Sequence, residues 1–226
     1  MSRILDPLIR LVAWLCRHRR LCTGPSPVKV NVGSGLCVAP GWINLDSGLH
    51  ALFSKWPEPL VRRLYRMSSY RQWHSEDDYV RLLREHRFHH HNVEHGLPFA
   101  DASVDFLYSS HLLEHLFQED AEAFAMECHR VLKSGGVLRI CVPDLEHALA
   151  LYAQGQKEKA LEYFFVKRIG YFNAHKFMYD YELLASLMKR AGFARTGKCA
   201  YRSGATPDLE TLDNRPEETL YVEAVK

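Results

Sequence analysis

Val28-Lys29-Val30-Asn31-Val32-Gly33-Ser34-Gly35, then the six residues Leu36 to Gly41, then Trp42-Ile43-Asn44-Leu45-Asp46: this stretch decides the fold. A short apolar run that stops at two glycines reads as a first strand and the bend after it, because glycine lets a ligand approach the backbone closely. The second run reads as a parallel neighbour whose terminal carboxylate can accept from both hydroxyls of a ribose. A tight turn followed by a helix-capping aspartate is the plain structural alternative. The dinucleotide fingerprint G-x-G-x-x-G would place its third glycine at position 38, which is Val38. Six residues are also too few for a crossover helix, so no pyrophosphate site at a helix N-terminus is expected. A nucleoside ligand without phosphates fits this loop better.

Working outward, the pattern alternates strands and helices. Residues 3–20 read as an amphipathic helix, and Thr23-Gly24-Pro25-Ser26-Pro27 as a break. Residues 47–87 form a long mixed segment with helices expected near 57–66 and 76–86, carrying Trp56, Tyr65, Tyr70, Trp73 and Tyr79. Those aromatics suit either a substrate lid or the local core of an insertion, since a segment this long in a compact domain usually has a purpose. Strands are expected near 88–93 and 104–109. Residues 119–133 give the clearest helix, with Ala121, Phe124, Ala125, Cys128, Val131 and Leu132 on one face and Gly135-Gly136 as the stop. Its first-turn acids Glu119 and Asp120 and its last-turn bases Arg130 and Lys133 suit the macrodipole. A strand follows at 137–142, a helix at 180–190, and two late strands near 194–201 and 219–225. This alternation implies an α/β sheet with helices on both faces.

Composition narrows the class. The chain has 226 residues, room for one domain with insertions: a helix over 1–24 and a domain over 25–226, with 47–87 as a lid-like insertion. Lys plus Arg total 29 against 27 Asp plus Glu, so no nucleic-acid partner is expected. The six cysteines at 16, 22, 37, 128, 141 and 199 form no CxxC pair, so they are expected to be reduced, and the protein cytoplasmic. No run approaches the ~20 apolar residues of a membrane span. Residues 3–20 leave two packings open, against the sheet or as a peripheral membrane contact.

Three further motifs carry chemistry. They are Gly96-Leu97-Pro98-Phe99-Ala100-Asp101-Ala102-Ser103-Val104-Asp105, then Tyr108-Ser109-Ser110-His111-Leu112-Leu113-Glu114-His115-Leu116, then Arg130-Val131-Leu132-Lys133-Ser134-Gly135-Gly136. Together with the glycine loop, this order resembles the class I, Rossmann-like S-adenosylmethionine-dependent methyltransferases. The branch is the small-molecule or saccharide type, with LPF-x-D-x-S-x-D, LEHL and RVLKPGG motifs. Ser134 stands where that branch usually has proline. The resemblance covers residues 28–146 well and extends more loosely through His175 to Asp180 and Leu220 to Ala224. It implies a three-layer α/β/α sandwich around a mostly parallel seven-stranded sheet with an antiparallel last strand. It also implies S-adenosyl-L-methionine as cofactor and a small-molecule or saccharide acceptor.

The same resemblance implies roles residue by residue. Asn31, Gly33, Ser34 and Gly35 would line the methionine end of the cofactor, and Asp46 would hold the ribose. Asn92 with Val93 would meet the adenine edge. Asn92 stands where the branch often has aspartate, and its amide group needs a partner of its own. Ser109, Ser110 and His111 would face the methionine moiety and the sulfonium. Asp144, after the fifth strand, and His175, in a region that covers the site, would face the acceptor. If the acceptor is a hydroxyl or amine, a base must take its proton; His111, Asp144 and His175 are the candidates, in that order.

No metal is expected. In His89-His90-His91 consecutive strand residues point to opposite faces, so at most two converge. His111, Glu114 and His115 have metal-like spacing, but the LEH match favours a buried structural role for His115, while His111, at the expected cofactor mouth, leaves both readings open. Two other functions stay open: a non-catalytic partner subunit, and an NAD-dependent oxidoreductase, which Val38 and the short crossover disfavour.

Overall fold

The computed structural model describes residues 12, 14, 20–165 and 174–226. The sheet begins with β1 (Lys29–Val32) and β2 (Trp42–Asp46), parallel and adjacent, with no helix between them. Three helices follow: α1 (Leu49–Phe53), α2 (Glu58–Met67) and α3 (Glu76–Glu85). Then come β3 (Arg87–His90), β4 (Val104–Ser110), α4 (Gln118–Val131) and β5 (Leu132–Pro143). The remainder is α5 (Leu145–Ala153), α6 (Lys157–Leu161), α7 (Tyr181–Arg190), β6 (Arg195–Cys199), α8 (Leu209–Leu212) and β7 (Thr219–Val225). The strand order is β3-β2-β1-β4-β5-β7-β6, with β7 antiparallel to both of its neighbours. This is the expected seven-stranded, mostly parallel sheet. Most of the expected N-terminal helix lies outside the described residues. Among the described residues no helix is long and apolar enough to cross a membrane.

Alternation along the strands sorts residues onto two faces. Val30, Val32, Ile43, Leu45, Leu107, Leu138 and Ile140 share a core with the apolar stripes of α4 and α7, including Phe124, Cys128, Leu184 and Met188. Burying such a stripe is what holds a helix to a sheet; truncating Phe124 to alanine would cost about 3–5 kcal/mol. The opposite face carries Trp42, Tyr108, Cys141 and Tyr221, covered by Leu209 and Leu212. It also buries Arg139, whose side chain is fully enclosed and pairs with Asp213 at 2.5 Å and Glu223 at 3.3 Å. Arg139 Nη1 and Nη2 donate to the carbonyls of Ser203 and Ala200, so its donors are satisfied by the loop that covers it. Burial works against this charge, but the bonds from Asp213 outweigh it and hold the guanidinium ionised.

Helix ends follow capping chemistry. Ser75 Oγ accepts from Asp78 N ahead of three first-turn acids, and Asp180 Oδ1 accepts from Leu183 N. The strand expected over 88–93 stops at His90, because Asn92 Oδ1 accepts from Glu94 N and caps a single 3-10 turn over Val93–His95. In the 47–87 segment Tyr65 and Tyr79 are buried with Leu36 and Val38, while Trp56 and Trp73 are exposed. The insertion is therefore a small core of its own, seated beside the glycine loop. All five described cysteines, at 22, 37, 128, 141 and 199, are free.

Candidate functional site

The glycine loop is built by three side chains. Gly33 and Gly35 have φ of +70° and +51°, a region that favours glycine. A Cβ on Gly33 would also lie 3.0 Å from the Leu112 side chain, so the loop packs closely under that residue. Asn31 is buried; its Nδ2 donates to the Cys37 carbonyl at 2.8 Å and to Asn44 Oδ1 at 3.4 Å, tying the loop's return to β2. Asp46, at the tip of β2, accepts from Gly35 N at 2.8 Å on Oδ2 and from Gly48 N at 2.6 Å on Oδ1. A carboxylate has about four acceptor positions. Two of Asp46's are taken by these amides, and His50 Nε2 lies 3.7 Å from Oδ1.

Gly33 and Asp46 form one wall of a cavity of about 200 Å³. Asn92, Val93, Leu112 and His111 line it too. Asn92 Nδ2 donates to Glu94 Oε2 at 3.0 Å, which supplies the partner its amide needs. Five sequence-selected residues, Gly33, Asp46, Asn92, Val93 and His111, thus line a common hollow. Asn31, Ser34, Gly35, Ser109 and Ser110 do not line it. Asn31 and Gly35 brace the loop, and Ser34 Oγ turns to the Gly35 carbonyl. Ser109 is buried with its Oγ unpartnered, and Ser110 follows it half-buried at the end of β4. Sequence reading missed Ser47, Glu94 and Lys176, which also line the hollow. Ser47 and Glu94 sit next to selected positions in the chain, but Lys176 lies in a loop with no periodicity to point to it.

His111 stands at the junction of this hollow and a second cavity of about 260 Å³. Its φ of +52° is rare for a residue with a side chain, and such strain concentrates at functional positions. Its backbone N donates to the Cys141 carbonyl, and its ring nitrogens contact Glu114 Oε1 at 3.2 Å and Thr219 Oγ1 at 3.3 Å. The second cavity brings in Lys159, Glu162, Tyr163, His175, Arg215 and Glu218. Tyr163 Oη donates to Glu218 Oε2, and burial together with that carboxylate pushes the phenol up to about 12. Asp144 lines neither cavity: its carboxylate accepts from Glu146 N and caps α5.

The other histidines divide. His91 Nε2 donates to the Gly96 carbonyl at 2.7 Å, and His90 Nε2 to that of Ser47 at 3.0 Å. His91 borders the hollow and, with His89 and His90, a separate cavity beside α1. Glu114, His115 and His175 converge, each offering a ligand atom within 4.8 Å of the others. Glu114 is 1% exposed, and its Oε2 has no hydrogen-bond partner. Burial would neutralise its carboxyl, but the His111 contact outweighs that and lowers its pKa.

Residues 58–140 match the family model of a methyltransferase domain. A probable S-adenosylmethionine-dependent methyltransferase of Mycobacterium tuberculosis H37Rv is 30% identical over 119 residues, covering 53% of this chain and 36% of that one. A malonyl-[acyl-carrier protein] O-methyltransferase of Coxiella burnetii is 40% identical over 65 residues, covering 27% and 22%. The chain therefore spans about a third or less of the curated relatives it matches. Among solved structures, the methyltransferase SibL in its apo form aligns over 100% of this chain and 55% of its own, with a TM-score of 0.50 and 17% identity, a likeness of fold.

Proposed function

We propose that this chain, a member of the class I Rossmann-like methyltransferases, moves a methyl group from S-adenosyl-L-methionine to a small-molecule or saccharide acceptor. The observation that carries the reading is that Gly33, Asp46, Asn92 and Val93 line one hollow. It suits a nucleoside. No helix starts at the glycine loop, so there is no helix N-terminus for a pyrophosphate to occupy.

In this assignment Asp46 holds the ribose hydroxyls, Val93 packs on the base, Asn92 borders it, and His111 stands at the reacting end. The Asn31 and Gly35 contacts keep the loop open for the amino-acid portion. The cofactor supplies a methyl on a sulfonium, an electrophile that needs no further activation. The protein's share is to hold and orient, which can contribute roughly 7–11 kcal/mol of barrier lowering.

The acceptor is assigned to the second cavity, which meets the first at His111. Its mix of Lys159, Arg215, Glu162 and Glu218 suits a polar ligand with several hydroxyl or anionic groups. His111 is the first candidate for taking a proton from an acceptor hydroxyl. His175 faces the same cavity, and Asp144 ranks last because it is committed to a helix cap. The 47–87 insertion, with Tyr70 Oη 3.9 Å from the Cβ position of Gly35, is assigned as a cover over the loop.

Thermal melting with adenosylmethionine, adenosylhomocysteine and NADH tests the donor assignment. At 100 times its dissociation constant a ligand adds ~2.7 kcal/mol, which for a chain of this size is roughly 5–10 °C. Asp46→Ala should abolish most of the shift, and His90→Ala should leave it. The reading fails if neither adenosyl compound shifts the melt, or if NADH shifts it as far.

A further inference from the structure

The sequence predicts no metal, yet the fold brings Glu114, His115 and His175 together at one point. Glu114, His115 and His175 come from a 3-10 turn after β4 and from the loop before α7. His115 Nδ1 lies 3.2 Å from the Ala174 carbonyl, and His175 Nδ1 lies 2.5 Å from the Tyr163 carbonyl. A carbonyl oxygen can only accept, so in both rings Nδ1 carries the hydrogen. In the neutral ring Nε2 is then a bare lone pair. His115 Nε2 faces Glu114 Oε1 at 3.8 Å, and the two imidazoles stand edge to face with centroids 4.9 Å apart.

His111 adds the fourth piece. Its Nδ1–H donates to Glu114 Oε1 and its Nε2 meets the Thr219 hydroxyl, so one carboxylate oxygen is oriented and Oε2 is left buried without a donor. The ammonium of Lys176, a neighbouring cation, is engaged by the His115 carbonyl and lies 5.0 Å over the Phe117 ring. The cluster therefore brings one ligand atom each from a buried carboxylate and two imidazoles within 4.8 Å of one another, with His115 Nε2 3.8 Å from Glu114 Oε1. Of these atoms the Glu114 carboxylate is the enclosed one, and a buried carboxylate oxygen without a donor is unfavourable unless a cation meets it.

We infer that Glu114, His115 and His175 bind one borderline divalent cation of the Zn²⁺ or Co²⁺ kind at the junction of the two cavities. Two imidazoles and one carboxylate are the donor set such ions take, with positions left open for an exogenous ligand. The carbonyls of Ala174 and Tyr163 are the outer-shell partners that fix the ring tautomers, and His111 does the same for the carboxylate. Donors in a tetrahedral shell with ~2.0–2.1 Å bonds lie closer together than 4.8 Å, so the rings close slightly on binding. In the methyl-transfer reading, on which only this clause rests, an open position faces an acceptor hydroxyl and makes it more acidic.

The test uses tag-free, chelator-treated protein with no donor or acceptor present. Titration with Co²⁺ should give one saturable equivalent with visible ligand-field bands, displaced by one equivalent of Zn²⁺. His175→Ala and His115→Ala should each weaken that binding by about 100-fold or more and bleach the bands. His90→Ala should change neither. Circular dichroism and melting confirm that each variant is folded; if one is not, the other carries the comparison. Absence of saturable binding to millimolar Co²⁺ overturns the site, and so does an equivalent bound unchanged by both folded variants. Adenosylhomocysteine melting, measured separately, reports the donor site and stands or falls independently.

Discussion

Asp213→Ala is the sharpest perturbation the fold offers. Asp213 is 1% exposed and accepts from Arg139 Nε at 3.1 Å, Arg139 Nη2 at 2.5 Å, Tyr108 Oη at 3.2 Å and Arg202 N at 2.9 Å. Removing it leaves the Arg139 guanidinium enclosed with Glu223 as its remaining carboxylate. Breaking a buried pair from one side costs about 3–5 kcal/mol. For a chain of this length that projects to a fall in Tm of roughly 6–20 °C. Urea unfolding followed by circular dichroism should show the midpoint drop with the slope unchanged. The double variant Arg139→Met/Asp213→Leu removes both charges, and it should be more stable than Asp213→Ala alone. A fall of less than ~2 °C for the single variant would refute the reasoning, as would a double variant less stable than the single.

Gly33→Ala should destabilise by about 2 kcal/mol or more, because it combines a positive φ with a 3.0 Å contact to Leu112. Gly35→Ala, with Tyr70 Oη no nearer than 3.9 Å, should cost about half of that; urea midpoints compare them. Burial lowers the pKa of His91, so the folded state prefers the neutral ring. Its contribution is present above the unfolded value of ~6.5 and is lost as pH falls from there through the lowered folded value, where the unfolded chain binds more protons. Melting between pH 7.5 and 5 should fall less steeply in His91→Gln than in the parent. Asp180→Ala removes the cap on Leu183 N and should cost ~1 kcal/mol, again read by urea midpoint.

Periodicity and breakers were enough to place β1, β2, α4 and α7, because each of those patterns is local. The α4 stripe of Ala121, Phe124, Ala125 and Cys128 buries as its spacing requires. Asp46 was readable for the same reason: a carboxylate at a strand tip is positioned by the strand. What local patterns could not carry is pairing across distance. Arg139 and Asp213 are 74 residues apart, and nothing near either predicts that they meet. Lys176 reaches the hollow, and His175 reaches Glu114, because the loop before α7 hydrogen-bonds to the Glu114 carbonyl in the 3-10 turn after β4. Asn92 stops the third strand with a side-chain bond to Glu94, two residues away, that competes with the ladder. That the Asp144 carboxylate accepts from Glu146 N and caps α5 is a contact that needs coordinates.

The placement of β7 between β5 and β6 constrains how the protein is made. During synthesis, residues 29–143 emerge with Arg139 already on its strand but with neither Asp213 nor Glu223 yet translated. The inner parallel strands can gather early around α4, yet one sheet face holds a cation lacking its counter-charges and β5 has an open edge. Exposed strand edges recruit other chains. Until the ribosome has released residue 225, the nascent chain is a half-finished sheet with a sticky margin, and its yield in a cell should depend on holding chaperones during that interval.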